Sequence, residues 1–335
     1  MARYLITGVA GFIGSSLAHE LLQQGHDVRG IDDLSCGSLS NLDGIAADID
    51  FRLGDINNAT LLHDSCRDVE YVLHQAAIAS VPRSVRDPMA SHQANINGTL
   101  NVLLAARNAG VSRVVYAASS SAYGDQPTQP KHEGMLPCPL SPYAVQKLTG
   151  EQYVKSFWHV YGLEGVCLRY FNVFGPKQGA DSPYSGVIAR FISDMLQGTV
   201  PTICGTGHQS RDFTFISNVV SANLLACSAP RELVTGEVFN VGTGTSQTLN
   251  ALYMSLADLL GFSGDAVYGS QRVGDVEHSQ ADVSKAIRCL GYKPLTSFTE
   301  GLSLTVRWYV DQLSHVSPGL PLTSRDHSAY AMIPS

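Results

Sequence analysis

The sequence predicts an α/β fold, a doubly wound parallel sheet with a smaller mixed α/β lobe attached. Three observations carry that expectation. Short apolar or β-branched runs alternate with amphipathic helical stretches through the first half, the pattern of parallel strands joined by crossover helices. The first run leads straight into Gly8-x-x-Gly11-x-x-Gly14. Chemistry-bearing residues recur at the carboxyl ends of the runs, where open α/β sheets bind ligands.

Residues 3–7 read as a buried strand and 15–24 as an amphipathic helix closed by Gly25. The glycines between them allow a tight turn and let backbone amides approach a pyrophosphate at the helix N-terminus. This is a Rossmann-type signature, with Phe12 and Ile13 inside the turn. A second strand, 27–32, ends in Asp32. A carboxylate there accepts hydrogen bonds from adenosine ribose hydroxyls and repels a 2′-phosphate. No arginine follows directly, so the expected cofactor is NAD, not NADP. Further strands are expected at 51–56, 69–74, 114–118 and 165–170, with long helices over 88–109 and 141–161. Gly8, Asp32, Asp55, Ala76, Ser119 and Asn172 then all fall at one sheet edge.

The chain is organised around Ser141-Pro142-Tyr143-Ala144-Val145-Gln146-Lys147. Tyrosine and lysine four apart share a helix face. A phenol is a weak base, with a pKa of roughly 10. A nearby ammonium is expected to lower that value, so that the pair can take a proton from a sugar or alcohol hydroxyl at neutral pH. Ser119 can hydrogen-bond the same oxygen. A lone Tyr-x-x-x-Lys is an ordinary surface pair; its meaning comes from the dinucleotide turn upstream.

Composition narrows the classes. The net charge of -7 argues against general nucleic-acid or anionic-membrane binding. The seven cysteines are scattered, odd in number and lack any Cys-x-x-Cys. That fits free thiols in a reducing cytoplasm, and neither a disulfide framework nor a metal site is expected. No apolar run reaches membrane-span length, and the N-terminus does not read as a signal peptide.

After Pro176 the periodicity loosens. Helices are expected over 186–197, 218–228 (capped by Ser217), 249–260, 283–290 and 298–313, with strands at 201–204 and 211–216. The expected division is a dinucleotide-binding domain over 1–175, some later segments returning to it, a substrate-binding lobe over 176–315 and a tail over 316–335. Two clusters stand out in the lobe, one around Arg211 and one around Arg272, Asp275, His278 and Ser279. Arginine suits a diphosphate because its planar fork makes bidentate contacts.

These motifs, with Asp55-Ile56, His74-Gln75-Ala76-Ala77 and the run Leu168 to Pro176, make the chain resemble the extended short-chain dehydrogenase/reductases, in the branch that modifies nucleotide sugars. The likeness covers about residues 3–312. It implies a catalytic set of Ser119, Tyr143 and Lys147. It places Asp55, Ile56, Gln75, Ala76, Ala77 and Asn95 on the adenine and ribose side, and Tyr170 and Val173 beside the nicotinamide. Asp33, Leu34, Ser35 and Gly37 would close over the adenosine. Arg211 and Arg272 would clamp the diphosphate and Asp275 a uridine ribose, with Thr202, Cys204, Val187 and Arg190 along the uridine. Ser80, Ser120, Ser121 and Asn172 would face the sugar.

The resemblance also orders the possible reactions. Dehydratases of the branch carry an Asp-Glu pair directly after the Ser119 position, and xylose-forming decarboxylases a glutamate; here stand Ser120 and Ser121. The expected reaction is therefore 4-epimerisation through a 4-keto sugar with tightly bound NAD. A tyrosine of hexose-selective epimerases is replaced by Ser279, which leaves room for a C2 acetamido group, so the expected substrates are UDP-N-acetylglucosamine and its galacto epimer. The N-acetylglucosaminuronate and plain UDP-glucose are alternatives, as is a non-catalytic NAD-binding sensor. Relatives pair through the helices at 88–109 and 141–161, which implies a homodimer. His74 reads as a core histidine.

Overall fold

The computed structural model describes residues 1–179, 186–271 and 276–316. Among them the strands run, in chain order, β1 (Arg3–Thr7), β2 (Asp27–Asp32), β3 (Ile49–Leu53), β4 (Tyr71–His74), β5 (Arg113–Ser119), β6 (Glu164–Tyr170), β7 (Val173–Phe174), β8 (Thr202–Cys204), β9 (Ser210–Arg211), β10 (Thr214–Phe215), β11 (Glu237–Val241), β12 (Gln247–Thr248), β13 (Val267–Gly269) and β14 (His278–Ser279). The helices are α1 (Phe12–Gln23), α2 (Ala59–Ser65), α3 (Val81–Arg86), α4 (Pro88–His92), α5 (Gly98–Ala109), α6 (Pro142–Tyr161), α7 (Val187–Leu196), α8 (Ile216–Ser228), α9 (Arg231–Val234), α10 (Leu249–Leu260), α11 (Ser284–Leu290) and α12 (Phe298–Val316).

Seven strands form one parallel sheet in the order β11-β6-β5-β4-β1-β2-β3. Strand order reverses between β1 and β4, the switch point at which doubly wound sheets hold ligands. Buried side chains of α1 and α8 cover one face and those of α2, α5 and α6 the other, in two apolar clusters. Register aligns the carboxyl ends: Thr7 lies opposite His74, Ser119 opposite Tyr170, and Tyr170 opposite Val241. Reactive positions far apart in sequence thus reach one edge.

The expected parallel α/β architecture is what the chain adopts. The seventh strand, β11, is a departure: it enters from the second half, and its five residues carry no local signal beyond an apolar run. The expected strand at 51–56 stops at Leu53, so Asp55 and Ile56 sit in the following turn. The long helix at 88–109 is interrupted by a π turn over Gln93–Asn97. The expected strand at 211–216 splits into β9 and β10, because the buried Asp212 accepts backbone N–H groups from Thr243 (2.8 Å), Gly244 (3.0 Å) and Ala281 (3.1 Å). Ser217 does not cap its helix; α8 starts two residues earlier than expected, at Ile216, and the Ser217 hydroxyl pairs with Thr296 at 2.8 Å. The expected tail, apart from Val316 at the end of α12, lies outside the described residues. No helix among the described residues is long and apolar enough to cross a membrane.

Candidate active site

The turn after β1 is fixed by close packing. A Cβ on Gly14 would lie 2.0 Å from the Gly8 carbonyl oxygen, and one on Gly8 2.8 Å from the Ala76 nitrogen. Gly8 also sits at φ +73°, where side chains are strained. Helix α1 then opens at Gly11 with no side-chain cap and no acidic residue in its first turn. Its free amides and dipole form a seat for an anion. Asp32, 7% exposed, accepts N–H bonds from Ala10 (2.9 Å) and Leu34 (2.8 Å), tying the glycine turn to the loop after β2. Burial raises its carboxyl pKa against those two amides.

A cavity of about 360 Å³ opens above this turn. Gly8, Gly11, Asp32, Asp33, Ser35 and Gly37 line one side, and Asp55, Ile56, Gln75, Ala76 and Ala77 the other. Arg83, absent from the expected set, lines it too. Among the residues that the resemblance placed around the adenosine, two do not. Leu34 takes a left-handed backbone at φ 60° and serves the loop's shape. Asn95 is buried under the floor, its Oδ1 accepting from Ile78 N–H (2.8 Å) and its Nδ2 donating to Gln146 Oε1 (2.8 Å). It is a positioning group that joins the loop after β4 to α6. Glycine turn, uncapped helix and carboxylate together fit a dinucleotide.

A second cavity, about 430 Å³, follows at the sheet edge. Phe12, Ile13, Tyr170 and Val173 line its inner end; Ser119, Ser120, Ser121, Tyr143, Asn172 and Ser279 line the rest. Ser119 Oγ accepts from Ser121 N–H (3.2 Å) and Ser121 Oγ–H (2.8 Å). A hydroxyl has two acceptor sites and one proton, so the Ser119 proton is left free for the Tyr143 oxygen, whose ionised form it favours. Ser121, expected to face the sugar, lines the chamber and also orients Ser119.

The lysine departs from the expectation. Lys147 Nζ donates to the Ala117 carbonyl at 2.9 Å, and the Tyr143 phenol is raised by burial, with the Ser119 hydrogen bond opposing. Desolvation of the aromatic hydroxyl dominates, and Ser119, not Lys147, is the group that opposes it. Burial in turn pushes Lys147 down to about 8, while Glu151, one turn on, pulls the other way. Glu151 is itself held by Arg169 through two bonds of 2.8 and 2.7 Å.

His74 is a core histidine, as expected. Thr99 Oγ1 donates to the Asn95 carbonyl (2.7 Å), so it accepts from His74 Nε2–H (3.0 Å). Thr7 Oγ1 then donates to His74 Nδ1 (2.7 Å). Burial first, and Lys147 second, hold this imidazole neutral, its pKa pushed down to about 3.

A third cavity, about 310 Å³, continues outward and shares Asn172 and Arg211 with the second. It brings together Ser80, Val187, Arg190, Thr202 and Cys204. Arg211 is 8% exposed and steadied by the Ser210 (2.8 Å) and Glu277 (3.1 Å) carbonyls. Ser279 is placed by β14 beside Arg211 on β9. Arg272 and Asp275 lie outside the described residues. Ser80 also caps α3 through Arg83 N–H (3.2 Å), and His208 and His278 are exposed.

A glycine turn on a parallel sheet, with a strand-end serine and a Tyr-x-x-x-Lys helix over it, defines an enzyme of the short-chain dehydrogenase/reductase class. A family model described as the NAD dependent epimerase/dehydratase family matches residues 4–242. A UDP-glucose 4-epimerase of Mycolicibacterium smegmatis is 37% identical over 311 residues, 92% of this chain and 98% of that one. Among solved structures, the Thermotoga maritima UDP-glucose 4-epimerase with UDP-glucose superposes at a TM-score of 0.89, with 37% identity over 93% of this chain and 99% of that one. The Methanobrevibacter ruminantium UDP-N-acetylglucosamine 4-epimerase, in complex with UDP-N-acetylmuramic acid, gives 0.88 and 39% over the same shares. The chain belongs to the NAD-dependent epimerase/dehydratase family, and its cofactor is NAD.

Proposed function

We propose that this NAD-dependent UDP-sugar 4-epimerase interconverts UDP-N-acetylglucosamine and UDP-N-acetylgalactosamine. Ser279 carries the reading: it lines the chamber that holds Ser119 and Tyr143, and the chamber wall there is a small hydroxyl rather than an aromatic ring. A C2 acetamido group needs that volume, and Ser120 offers it a hydrogen-bonding partner.

Bound NAD would supply the acceptor and donor for the C4 hydride. The first cavity would hold its adenosine half, with the α1 amides and Arg83 on the pyrophosphate, and Tyr170 and Val173 would flank the nicotinamide. Tyr143 takes the C4 hydroxyl proton and gives it back. Ser119 donates to the phenolate so formed, and Lys147 supplies positive charge on the same helix face. Arg211, shared by the second and third cavities, fits the diphosphate, which leaves the uridine among Val187, Arg190, Thr202 and Cys204. With Ser120 and Ser121 where a carboxylate pair would stand, neither position can serve C5 proton removal, which favours hydride return. Residues 1–175 are thus read as the NAD-binding part and 176–315 as the UDP-sugar lobe. The helices α4 to α6 expose Met89, Val145 and Val160, an apolar surface suited to a homodimer; sedimentation giving only a monomer would remove that part.

The test is to incubate the purified enzyme, without added cofactor, with UDP-N-acetylglucosamine or UDP-glucose and resolve products by NMR. The N-acetyl sugar is expected to be epimerised faster. In Ser279→Tyr that activity should fall at least about tenfold while UDP-glucose turnover persists, since pocket volume discriminates by roughly 1–3 kcal/mol per methylene. Faster turnover of UDP-glucose by the wild type would overturn the substrate and keep the chemistry.

A further inference from the structure

Lys131 borders the same chamber as Ser119, Tyr143 and Ser279, yet it belongs to no motif that the reaction uses. It is 1% exposed. Its backbone is locked beside the Ser279 strand: Lys131 N–H donates to Gln280 O (2.7 Å), and Lys131 O accepts from Asp282 N–H (2.8 Å) and Asn240 Nδ2 (2.8 Å).

Its ammonium is underused. An ammonium carries three donors, and among the described residues the Gln126 carbonyl is its hydrogen-bond acceptor. No carboxylate of the described residues forms an ion pair with it. Asp125 is the nearby acid that favours its charge, and that carboxylate already accepts from Glu277 N–H at 2.9 Å. A buried ammonium with donors to spare and no ion-paired carboxylate is costly, so the site gains from an anion entering from the chamber.

Position says which anion. Arg211 stands where the chamber meets the outer cavity and is placed for the diphosphate. Lys131 lines the chamber but not the outer cavity, so it faces the sugar end. A hexose ring bears a carboxylate most simply at an oxidised C6. The other cation nearby, Arg83, lines the dinucleotide cavity with Nη1 on Cys36 Sγ (3.0 Å) and is engaged there.

We infer that Lys131 is a specificity-determining residue that admits a C6 carboxylate, making UDP-N-acetylglucosaminuronate a second substrate of the enzyme. The inference rests on the UDP-sugar 4-epimerase reading. The test compares kcat/KM for the uronate and for UDP-N-acetylglucosamine in the wild type, Lys131→Met and Lys131→Arg, with bound NAD and Tm recorded for each. Lys131→Met keeps the stem and removes the charge. The wild type should turn over the uronate within about tenfold of the neutral sugar. In Lys131→Met the uronate should lose about twentyfold or more while the neutral sugar changes less than about threefold, and Lys131→Arg should recover most of the loss, the size expected for a close charge pair. A parallel loss on both sugars would make Lys131 a loop anchor and overturn the inference. So would a wild type whose uronate activity is below about a hundredth of the neutral one, a comparison that needs no variant to fold. Turnover of the uronate alone would sustain Lys131's role and remove the N-acetylglucosamine reading; turnover of neither would remove both.

Discussion

The two halves of the site are built in different ways. The cofactor half stands on one continuous sheet whose seven strands share a register. Its contacts come from backbone turns that only glycine can make. The sugar half hangs on fragments: β9 pairs with β12 and β14, and β8 with β13, in pieces of two or three residues. The first arrangement fixes chemistry common to a whole class; the second lets single side chains decide which sugar fits. Substitutions in the first half should therefore change turnover of every substrate, and those in the second should change recognition.

The largest contrast is expected from Tyr143→Phe. Losing the proton-transferring hydroxyl should lower kcat by roughly 10²–10⁴ on any UDP-sugar, with bound NAD and Tm close to wild type. A substrate-dependent loss would break the division between the halves. Arg211→Gln is the counterpart in the sugar half. Removing charge-assisted bonds worth about 1.5–3 kcal/mol should raise KM by roughly 10- to 100-fold with kcat little changed; a loss confined to kcat would place Arg211 in the chemistry.

Acid should find the sheet half first. The folded pKa of His74, about 3, lies below the ordinary 6.5. The unfolded chain therefore binds the proton more readily. This contribution is fully present above about pH 6.5 and is lost as pH falls toward 3. Between pH 7 and 5 the drop should be about 2 kcal/mol, read by thermal melts. Hydrogen exchange should show β1, β4 and α5 loosening before β8 and β13, and the reverse order would remove His74 as the cause. The smallest effect is expected from Ser121→Ala, which frees an acceptor site on Ser119. One neutral hydrogen bond is worth about 1 kcal/mol, so kcat should fall by roughly fivefold with KM unchanged; a rise in KM alone would return Ser121 to sugar contact.

What could be read from the chain follows the same divide. Local rules placed β1, β2, the glycine turn, Asp32, Ser119 and the α6 pair, because each depends on neighbours within one turn or one strand. They missed β11, the split of 211–216 by Asp212 and the π turn beneath the cofactor loop. Each of those is set by partners far away in sequence: Cys167 and Leu168 for β11, Ala281 and Thr243 for Asp212.

The sequence by itself determined the fold class, the family and the cofactor and singled out Ser119, Tyr143 and Lys147 as candidates, since a dinucleotide turn and a helix-borne Tyr-x-x-x-Lys are encoded at short range. Only the tertiary structure decided the electrostatics and the shape of the sugar chamber. In place of the expected lowering by Lys147, burial raises the Tyr143 phenol with only Ser119 opposing it, and burial is a property of what packs around a residue. Lys131, silent in its own stretch of sequence, becomes a chamber cation because the segment at 278–282 folds back beside it. Long-range packing sets solvation and neighbours, and no local pattern contains either.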